Sequence, residues 1–360
     1  MSLRLFAATI PRMSVNVGII GYGRIGAEHA AWLSTADGIR AVAVADATPA
    51  RGALAESRGL KVYTGIDDLL ADSSIHAILV STPTAMHFDH AMKALAAGKH
   101  VMVEKPMTLD LNTATQLVAE AKSRRRVLSV FHNRRWDIDY LTVRKAVQSG
   151  QFGKIINIES RLGQWSSCVG PAAKEYRPGW RNEAGFGGGG LYDWGSHFID
   201  QIWRLMFPAK PTRVFAQLRG NVWTRDCDDF ARVCIDFDNG AVGLVEINTT
   251  TTRPLPRWHI DGQAGSADSP FSLDFDLDIW AKLEFAPANG GGIHLVPRAA
   301  DELNERQIWE QFGRAVRDGG GLAAVTAESV LPTMALLDAA RESSRTMTVI
   351  EILRAVDWVY

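Results

Sequence analysis

An aspartate and a histidine four residues apart have the spacing and the side chains for proton transfer. Asp193 and His197 follow the glycine-rich run Gly185–Gly190, and residues four apart on a helix share one face. A carboxylate beside an imidazole can bind a pair of hydroxyl groups and shuttle one proton, and Asp200 is placed to fix the tautomer of His197. The spacing equally allows a helix-capping aspartate and a buried structural histidine. With two ligands and no evident third, the pattern predicts no metal site.

A lysine elsewhere in the chain could assist this chemistry. Lys105 lies in Glu104-Lys105-Pro106 after one predicted strand, and Ser81-Thr82-Pro83 follows the strand before it. Both segments fall at the carboxyl edge of the predicted sheet, where ligands of open α/β folds bind. An ammonium there could hydrogen-bond a reacting hydroxyl and stabilise charge developing on its oxygen. The alternative is a surface lysine beside a turn proline.

A third pattern, Gly21-Tyr22-Gly23-Arg24-Ile25-Gly26, follows a predicted strand and opens a helix, which is the context of a dinucleotide-binding turn. Asp46 ends the next strand, where its carboxylate can accept both adenosine ribose hydroxyls. It would repel a 2′-phosphate by about 1–4 kcal/mol, which favours NAD over NADP, although Arg51 could weaken that preference. A glycine turn with a solvated aspartate is the alternative. The residues expected to bind the dinucleotide are Gly21, Gly23, Arg24, Ile25, Gly26, Asp46, Ser81, Thr82, Pro83, Glu104 and Lys105.

The elements that must position these residues form two groups. Six short apolar strands alternate with helical patterns from Val15 to Phe131, which predicts a parallel sheet with crossover helices. After Lys154 longer strands follow, two of them joined by the hairpin signal Asp238-Asn239-Gly240, which predicts an antiparallel or mixed sheet. The sequence therefore predicts an α/β Rossmann domain over 14–138 and an α+β domain over 139–360, which shapes the substrate pocket. The second group of predicted strands is Ile155–Ser160, Val214–Leu218, Ala231–Phe237 and Val242–Asn248, and the later predicted helices are Asp193–Phe207, Asn304–Arg317 and Ala327–Arg341.

Composition narrows the function classes. The chain has 39 basic and 40 acidic residues, so its overall field would attract neither nucleic acid nor an anionic membrane. Three cysteines without C-x-x-C spacing suit a reducing compartment. No window approaches a transmembrane span, and the first dozen residues are interpreted as a flexible extension rather than a signal peptide. We expect a cytoplasmic protein that binds neither nucleic acid nor membrane.

From about Val15 to the C-terminus, the sequence resembles the Gfo/Idh/MocA family of glucose-fructose oxidoreductase and inositol dehydrogenase. The resemblance is carried by the glycine fingerprint, Glu104-Lys105-Pro106 and the glycine-rich run before Asp193 and His197, found in this order. Asn133-Arg134-Arg135-Trp136 and the segment Gly262–Ser266 are also similar to the family.

The resemblance implies a catalytic group of Lys105, Asp193 and His197, with His197 the usual proton acceptor during alcohol oxidation. It implies NAD as cofactor, with NADP possible, and a sugar, inositol or related polyol as substrate. It also implies that the second domain holds a large, mostly antiparallel open sheet, on which a homodimer or homotetramer is built. Family members also include NAD-dependent glycosidases without net redox change and dinucleotide-binding sensors, and these are the alternatives. The residues expected to contact substrate are Arg134, Trp165, Trp180 and Arg181.

Overall fold

A computed structural model of the chain describes residues 14–168, 179–319, 323–352 and 358; the predicted N-terminal extension lies outside them. The predicted fold class is confirmed, because a parallel sheet is followed by a larger, mostly antiparallel one. Within the described residues, no helix is both long and apolar enough to cross a membrane.

The first sheet has the strand order of a dinucleotide-binding fold. Its strands are β1 (Val15–Ile20), β2 (Ile39–Ala45), β3 (Lys61–Tyr63), β4 (Ala77–Val80), β5 (His100–Val103) and β6 (Leu128–Val130). They are all parallel, in the order β3-β2-β1-β4-β5-β6. Every residue of β4 is buried, as expected for a strand covered on both faces. The helices of this part are α1 (Arg24–Thr35), α2 (Pro49–Ser57), α3 (Ile66–Ala71), α4 (His87–Ala96), α5 (Leu111–Ser123) and α6 (Ile138–Gln148).

The second sheet has nine strands among the described residues. They are β7 (Ile155–Gly163), β8 (Pro211–Arg219), β9 (Phe230–Phe237), β10 (Val242–Asn248), β11 (Trp258–Gly262), β12 (Gly265–Asp268), β13 (Glu284–Pro287), β14 (His294–Leu295) and β15 (Ile350–Glu351). Their order is β14-β13-β12-β11-β7-β10-β9-β8-β15, and only β7 and β10 pair in parallel. The strands β11 to β15 were not predicted, because runs of two to five residues carry little periodicity.

Among the residues that the structure describes, four helices accompany this sheet, and one of them packs against the first domain. They are α7 (Ser196–Met206), α8 (Leu277–Trp280), α9 (Glu305–Asp318) and α10 (Leu331–Thr346). Whereas α7 and α10 cover the second sheet, α9 buries Trp309 and Phe312 in the same apolar cluster as β1. A capping box at Asn304 starts α9. Through α9 the chain packs again against the Rossmann domain. The predicted domain boundary near residue 138 stays a prediction.

Candidate active site

A cavity of about 750 Å³ extends from the loop after β1 to the start of α7. This volume is in the usual range for sites that bind small molecules or cofactors. Gly26 and Trp165 do not line it. The sequence-predicted residues that do line it are Gly21, Gly23, Arg24, Ile25, Asp46, Ser81, Thr82, Pro83, Glu104, Lys105, Arg134, Trp180, Arg181, Asp193 and His197.

The glycine loop has the shape that a dinucleotide requires. Gly21 has a φ of +90°, in the left-handed region that favours glycine. A Cβ at Gly26 would lie 2.2 Å from the Gly21 carbonyl oxygen, so only glycine lets the helix pack this closely. Gly23 precedes α1 and offers no side-chain cap, which leaves the first amide groups of α1 available to an anion. These features fit a pyrophosphate.

Asp46 holds this loop as well as lining the cavity. Its two carboxylate oxygens accept hydrogen bonds from the backbone N–H of Tyr22, at 2.6 Å, and of Thr48, at 2.7 Å. Arg51 Nη1 lies 3.6 Å from Asp46 Oδ2. Each carboxylate oxygen can accept a further hydrogen bond, so Asp46 can still accept one from a ribose hydroxyl. The nearby Arg51 is the group that could compensate a 2′-phosphate.

The end of β4 supports the same loop. The Ser81 hydroxyl donates to the Gly21 carbonyl oxygen at 2.7 Å, and the Thr82 hydroxyl lies 3.2 Å from His90 Nδ1. The segment Ser81–Pro83, which was predicted to bind the dinucleotide, therefore also holds Gly21, the first glycine of the fingerprint, in place.

Glu104 is held from behind by a histidine that the sequence analysis did not identify. His29 Nε2 lies 2.7 Å from Glu104 Oε1, and the indole N–H of Trp309 donates to His29 Nδ1 at 3.0 Å. An indole nitrogen can only donate, so Nδ1 is the acceptor and Nε2 carries the proton. Burial alone would raise the pKa of Glu104, but the bond to His29 and the Lys105 charge lower it below its usual value. Glu104 is thus a carboxylate in a fixed orientation.

Lys105 and Asp193 form an ion pair at the far end of the cavity. Lys105 Nζ lies 2.9 Å from Asp193 Oδ1 and 2.7 Å from the Asp193 carbonyl oxygen. Arg181 Nε is 3.7 Å from the same carboxylate oxygen. Burial would raise the pKa of Asp193, but Lys105 and Arg181 outweigh it and the pKa is lowered. Lys105 is therefore a partly buried charged partner of Asp193 and not a surface lysine.

Asp193 lies in a π-helical turn, Leu191–Gly195, that leads directly into α7. It does not cap the helix. Asp228, which the sequence analysis did not identify, accepts from the Leu191 N–H at 2.7 Å, and burial raises the pKa of Asp228 to about 6. A Cβ at Gly189, where φ is +103°, would lie 2.2 Å from Asp228 Oδ1. Part of the glycine run thus makes room for Asp228, and π turns are frequent at functional sites.

His197 lines the cavity and is buried, and its Nδ1 has no hydrogen-bond partner among the described residues. Burial lowers the pKa of His197 well below its usual value, and the charges of Lys105 and Arg134 lower it further. The expectation that Asp200 fixes the His197 tautomer is wrong. Both Asp200 oxygens accept from Arg135 at 2.8 Å, and one also accepts from Thr333, so the carboxylate binds these two side chains and not His197.

Arg134 is the predicted substrate contact with the most constrained position. Its guanidinium carbon lies 4.6 Å from the Trp194 ring centre and 4.7 Å from that of Phe275, and its Nη1 donates to Asp137 at 2.9 Å. Burial raises the pKa of Asp137 to about 7, although Arg134 opposes this. Stacking and the ion pair together hold the guanidinium at the cavity wall.

The three remaining predicted contacts are divided between the cavity and the surface. Arg181 stacks on Trp180, with its guanidinium carbon 4.4 Å from the ring centre, and both line the cavity. Trp165 is 53% exposed, packs edge-on against Trp223 and bridges to Thr250 outside the cavity. Among the described residues, no group of three His, Cys, Asp or Glu side chains could hold a metal ion.

Comparison with known proteins gives matches along most of the chain. The model of an oxidoreductase family with an NAD-binding Rossmann fold matches residues 15–132, and the Gfo/Idh/MocA C-terminal domain model matches residues 140–268. A solved NAD-binding protein from Listeria innocua superimposes with a TM-score of 0.83 at 27% identity, covering 94% of this chain and 97% of that one.

Three relatives extend this similarity. Inositol 2-dehydrogenase 2 of Saccharopolyspora erythraea is 34% identical over 90% of this chain and 94% of its own length. The scyllo-inositol 2-dehydrogenase (NADP⁺) IolW of Bacillus subtilis is 26% identical over 92% of this chain and 94% of IolW. The uncharacterized oxidoreductase YdgJ of Escherichia coli is 36% identical, but the match spans 59% of this chain and 60% of YdgJ. The chain therefore belongs to the Gfo/Idh/MocA family of oxidoreductases, and its N-terminal domain is an NAD-binding Rossmann fold.

Proposed function

We propose that the protein is an NAD-dependent dehydrogenase that oxidises a secondary alcohol of a sugar, an inositol or a related polyol, with NADP as a possible second cofactor. One observation carries the proposal. The Lys105–Asp193 ion pair and the buried His197 line the same cavity as the glycine loop. The two inositol dehydrogenases among the relatives support the substrate class.

This chain's residues provide each part of a dinucleotide site. The loop from Gly21 to Ile25 would receive the pyrophosphate, Asp46 the adenosine ribose, and the segments after β4 and β5 the nicotinamide end. The chemistry that NAD would supply there is acceptance of the hydride from the alcohol carbon, so that loss of the hydroxyl proton leaves a ketone. The order of these segments supports the assignment of Lys105, Asp193 and His197 to the reacting end.

The protonation states assign different roles to Lys105 and His197. The lowered pKa of Asp193 makes it a carboxylate, and the ammonium of Lys105 pairs with it at 2.9 Å. An ammonium has no lone pair, but it has three donors, of which Asp193 uses two. The third can donate to the substrate oxygen and stabilise negative charge as it develops.

His197 is the proton acceptor in this assignment. Its lowered pKa keeps the imidazole neutral at neutral pH, so one ring nitrogen has a free lone pair. Because Nδ1 is the buried nitrogen, Nε2 is the one available to a substrate hydroxyl. Asp193, Arg134 and Arg181 supply the acceptors and donors that would hold neighbouring hydroxyl groups. A cytoplasmic location and a homo-oligomer remain part of the proposal.

The test is reduction of NAD⁺ and NADP⁺, followed by absorbance, against inositols, aldoses, sugar acids and polyols. We expect a rate with at least one compound, abolished in Lys105→Ala and retained in Lys122→Ala, where the lysine is exposed on α5. A rate that Lys105→Ala leaves unchanged would refute the proposed roles. Dinucleotide binding without turnover would favour a sensor, and cleavage of a glycoside without net nicotinamide reduction would favour a glycosidase.

A further inference from the structure

A second buried histidine lies directly behind His197. His132 follows β6 at the carboxyl edge of the first sheet and is 1% exposed. Its ring lies 5.4 Å from that of His197, centre to centre, and the two planes are nearly perpendicular. Neither nitrogen of His132 has a hydrogen-bond partner among the described residues, and neither does Nδ1 of His197. Three buried ring nitrogens are thus grouped in one place.

Buried nitrogens without partners destabilise the fold unless they form hydrogen bonds with one another. A buried polar atom without a partner typically destabilises a protein by about 1–3 kcal/mol. An imidazole that turns about its Cβ–Cγ bond exchanges ring carbons for ring nitrogens at little steric cost. At the observed distance of 5.4 Å between the ring centres, such a rotation can turn a nitrogen of either ring toward the other ring.

We propose that His132 is a positioning residue that accepts a hydrogen bond from the Nδ1–H of His197 and so leaves the Nε2 lone pair for the substrate hydroxyl. The inference rests on the proposed function, because His132 acts only through His197. When His197 takes the substrate proton at Nε2, both of its nitrogens carry hydrogen. The Nδ1–H then still has an acceptor in His132, which stabilises the imidazolium.

The surrounding charges select this direction for the hydrogen bond. A neutral imidazole in an electric field orients its N–H toward negative charge and its lone pair toward positive charge. Among the charged groups that act on His132, Asp200 is the acidic one. Lys105, at the cavity, acts on both His132 and His197. Burial lowers the pKa of His132 to about 3, so it is neutral and keeps one lone pair. The charged groups that act on His132 are Asp200, Arg135, Lys105 and Arg204, and those that act on His197 are Lys105, Arg134 and Arg257.

The first test is long-range ¹H–¹⁵N NMR of the full chain labelled at histidine nitrogens, with NADH added. The chain has nine histidines, so single substitutions, including His197→Gln, can assign each ring. We expect His197 as the Nδ1–H tautomer in the wild type, and loss of that preference in His132→Phe, which keeps the ring shape without nitrogens. His259→Gln, on β11, is the matched control and should leave the His197 signals unchanged.

An Nε2–H tautomer in the wild type, or an unchanged tautomer in His132→Phe, would overturn the inference. The wild-type tautomer decides the matter even if His132→Phe does not fold. Because the NMR measurement needs no turnover, it separates this inference from the proposed function. Absence of activity toward the whole panel with an Nδ1–H tautomer that depends on His132 would refute only the function.

The second test uses kinetics with myo-inositol and scyllo-inositol. His132→Phe should lower kcat about 10–100-fold with little change in KM, and the acidic limb of kcat/KM should move to lower pH because His197 becomes a weaker base. His132→Gln, which keeps an acceptor, should restore part of kcat. A loss of kcat with an unmoved acidic limb and no rescue by His132→Gln would indicate packing alone and overturn the inference.

Discussion

Two buried histidines near the cavity differ in what their ring nitrogens contact. His29 is fully buried, and both nitrogens are used, one by Glu104 and one by Trp309. His197 is also buried, yet its Nδ1 has no partner among the described residues and the ring lines the cavity. The residue type is the same and both rings are buried, but they differ in their hydrogen bonds and in their contact with the cavity.

This difference separates a structural histidine from a reactive one. Both ring nitrogens of His29 are already used, because Nδ1 accepts from the Trp309 N–H and Nε2 bonds to Glu104, so its neighbours fix its tautomer. His197 loses no hydrogen bond to a described residue when its Nε2 accepts a proton. Burial and the neighbouring cations lower its pKa, so the imidazole stays neutral until a substrate hydroxyl in the cavity supplies a proton. Hydrogen-bond satisfaction, together with contact with the cavity, is therefore more informative than burial about which imidazole does chemistry.

The largest effect that tests this comparison is on turnover. We expect His197→Gln to lower kcat about 10²–10⁴-fold, the usual contribution of a general base, with dinucleotide affinity unchanged. Steady-state kinetics and fluorescence titration with NADH measure the two quantities. His259→Gln serves as the control, since His259 pairs with Asp261 and Asp268 on the second sheet. Equal rates for His197→Gln and wild type would refute the assigned role.

The pH dependence of the wild type tests the same role. Alcohol oxidation requires neutral His197, so kcat/KM falls when the pH drops through the pKa of this residue. Because burial and Lys105 lower that pKa well below its usual value, we expect no loss from His197 between neutral pH and about pH 6.5, the ordinary histidine pKa. A half-loss near the ordinary value, absent in His197→Gln, would contradict the lowered pKa.

The next effect is on stability and concerns His29. His29→Phe would leave the Trp309 N–H and one Glu104 oxygen without their partner, at about 1–3 kcal/mol for each group. We expect a lower free energy of unfolding in urea and a lower thermal midpoint. His259→Gln should change both by much less. If His29→Phe kept full stability but lost kcat, His29 would be a reactive histidine and not a structural one.

The sequence predicted what depends on local spacing. The strands β1 to β6 match the six short strands predicted between Val15 and Phe131, because apolar runs and turn residues are local signals. The cavity also brings together the glycine loop, Lys105 and His197, as predicted. By contrast, His29 meets Trp309 across 280 residues, and no spacing rule reaches that far. Asp200 was misassigned because helical spacing sets a face but cannot reveal that Arg135 competes for the carboxylate.

Asp46 combines features of both histidines, because it is hydrogen-bonded like His29 and lines the cavity like His197. We expect Asp46→Ala to weaken NAD binding and to shift the NAD/NADP affinity ratio about tenfold toward NADP, since like-charge repulsion at the 2′-phosphate is removed while Arg51 remains. Titrations with both dinucleotides measure the ratio. A modest fall in thermal midpoint should accompany it, because the Tyr22 and Thr48 amides lose their acceptor. An unchanged ratio would assign Asp46 a purely structural role.

The smallest effects concern two tryptophans predicted as substrate contacts. Trp180 lines the cavity and stacks with Arg181, so Trp180→Ala should raise KM several-fold by releasing that guanidinium. Trp165 is more than half exposed and packs on Trp223 outside the cavity, so Trp165→Ala should change KM by less than about twofold. The two variants remove the same side chain and control for each other. A larger effect from Trp165→Ala would mean that substrate reaches beyond the cavity walls, and contact with the cavity would then no longer distinguish the residues that select substrate.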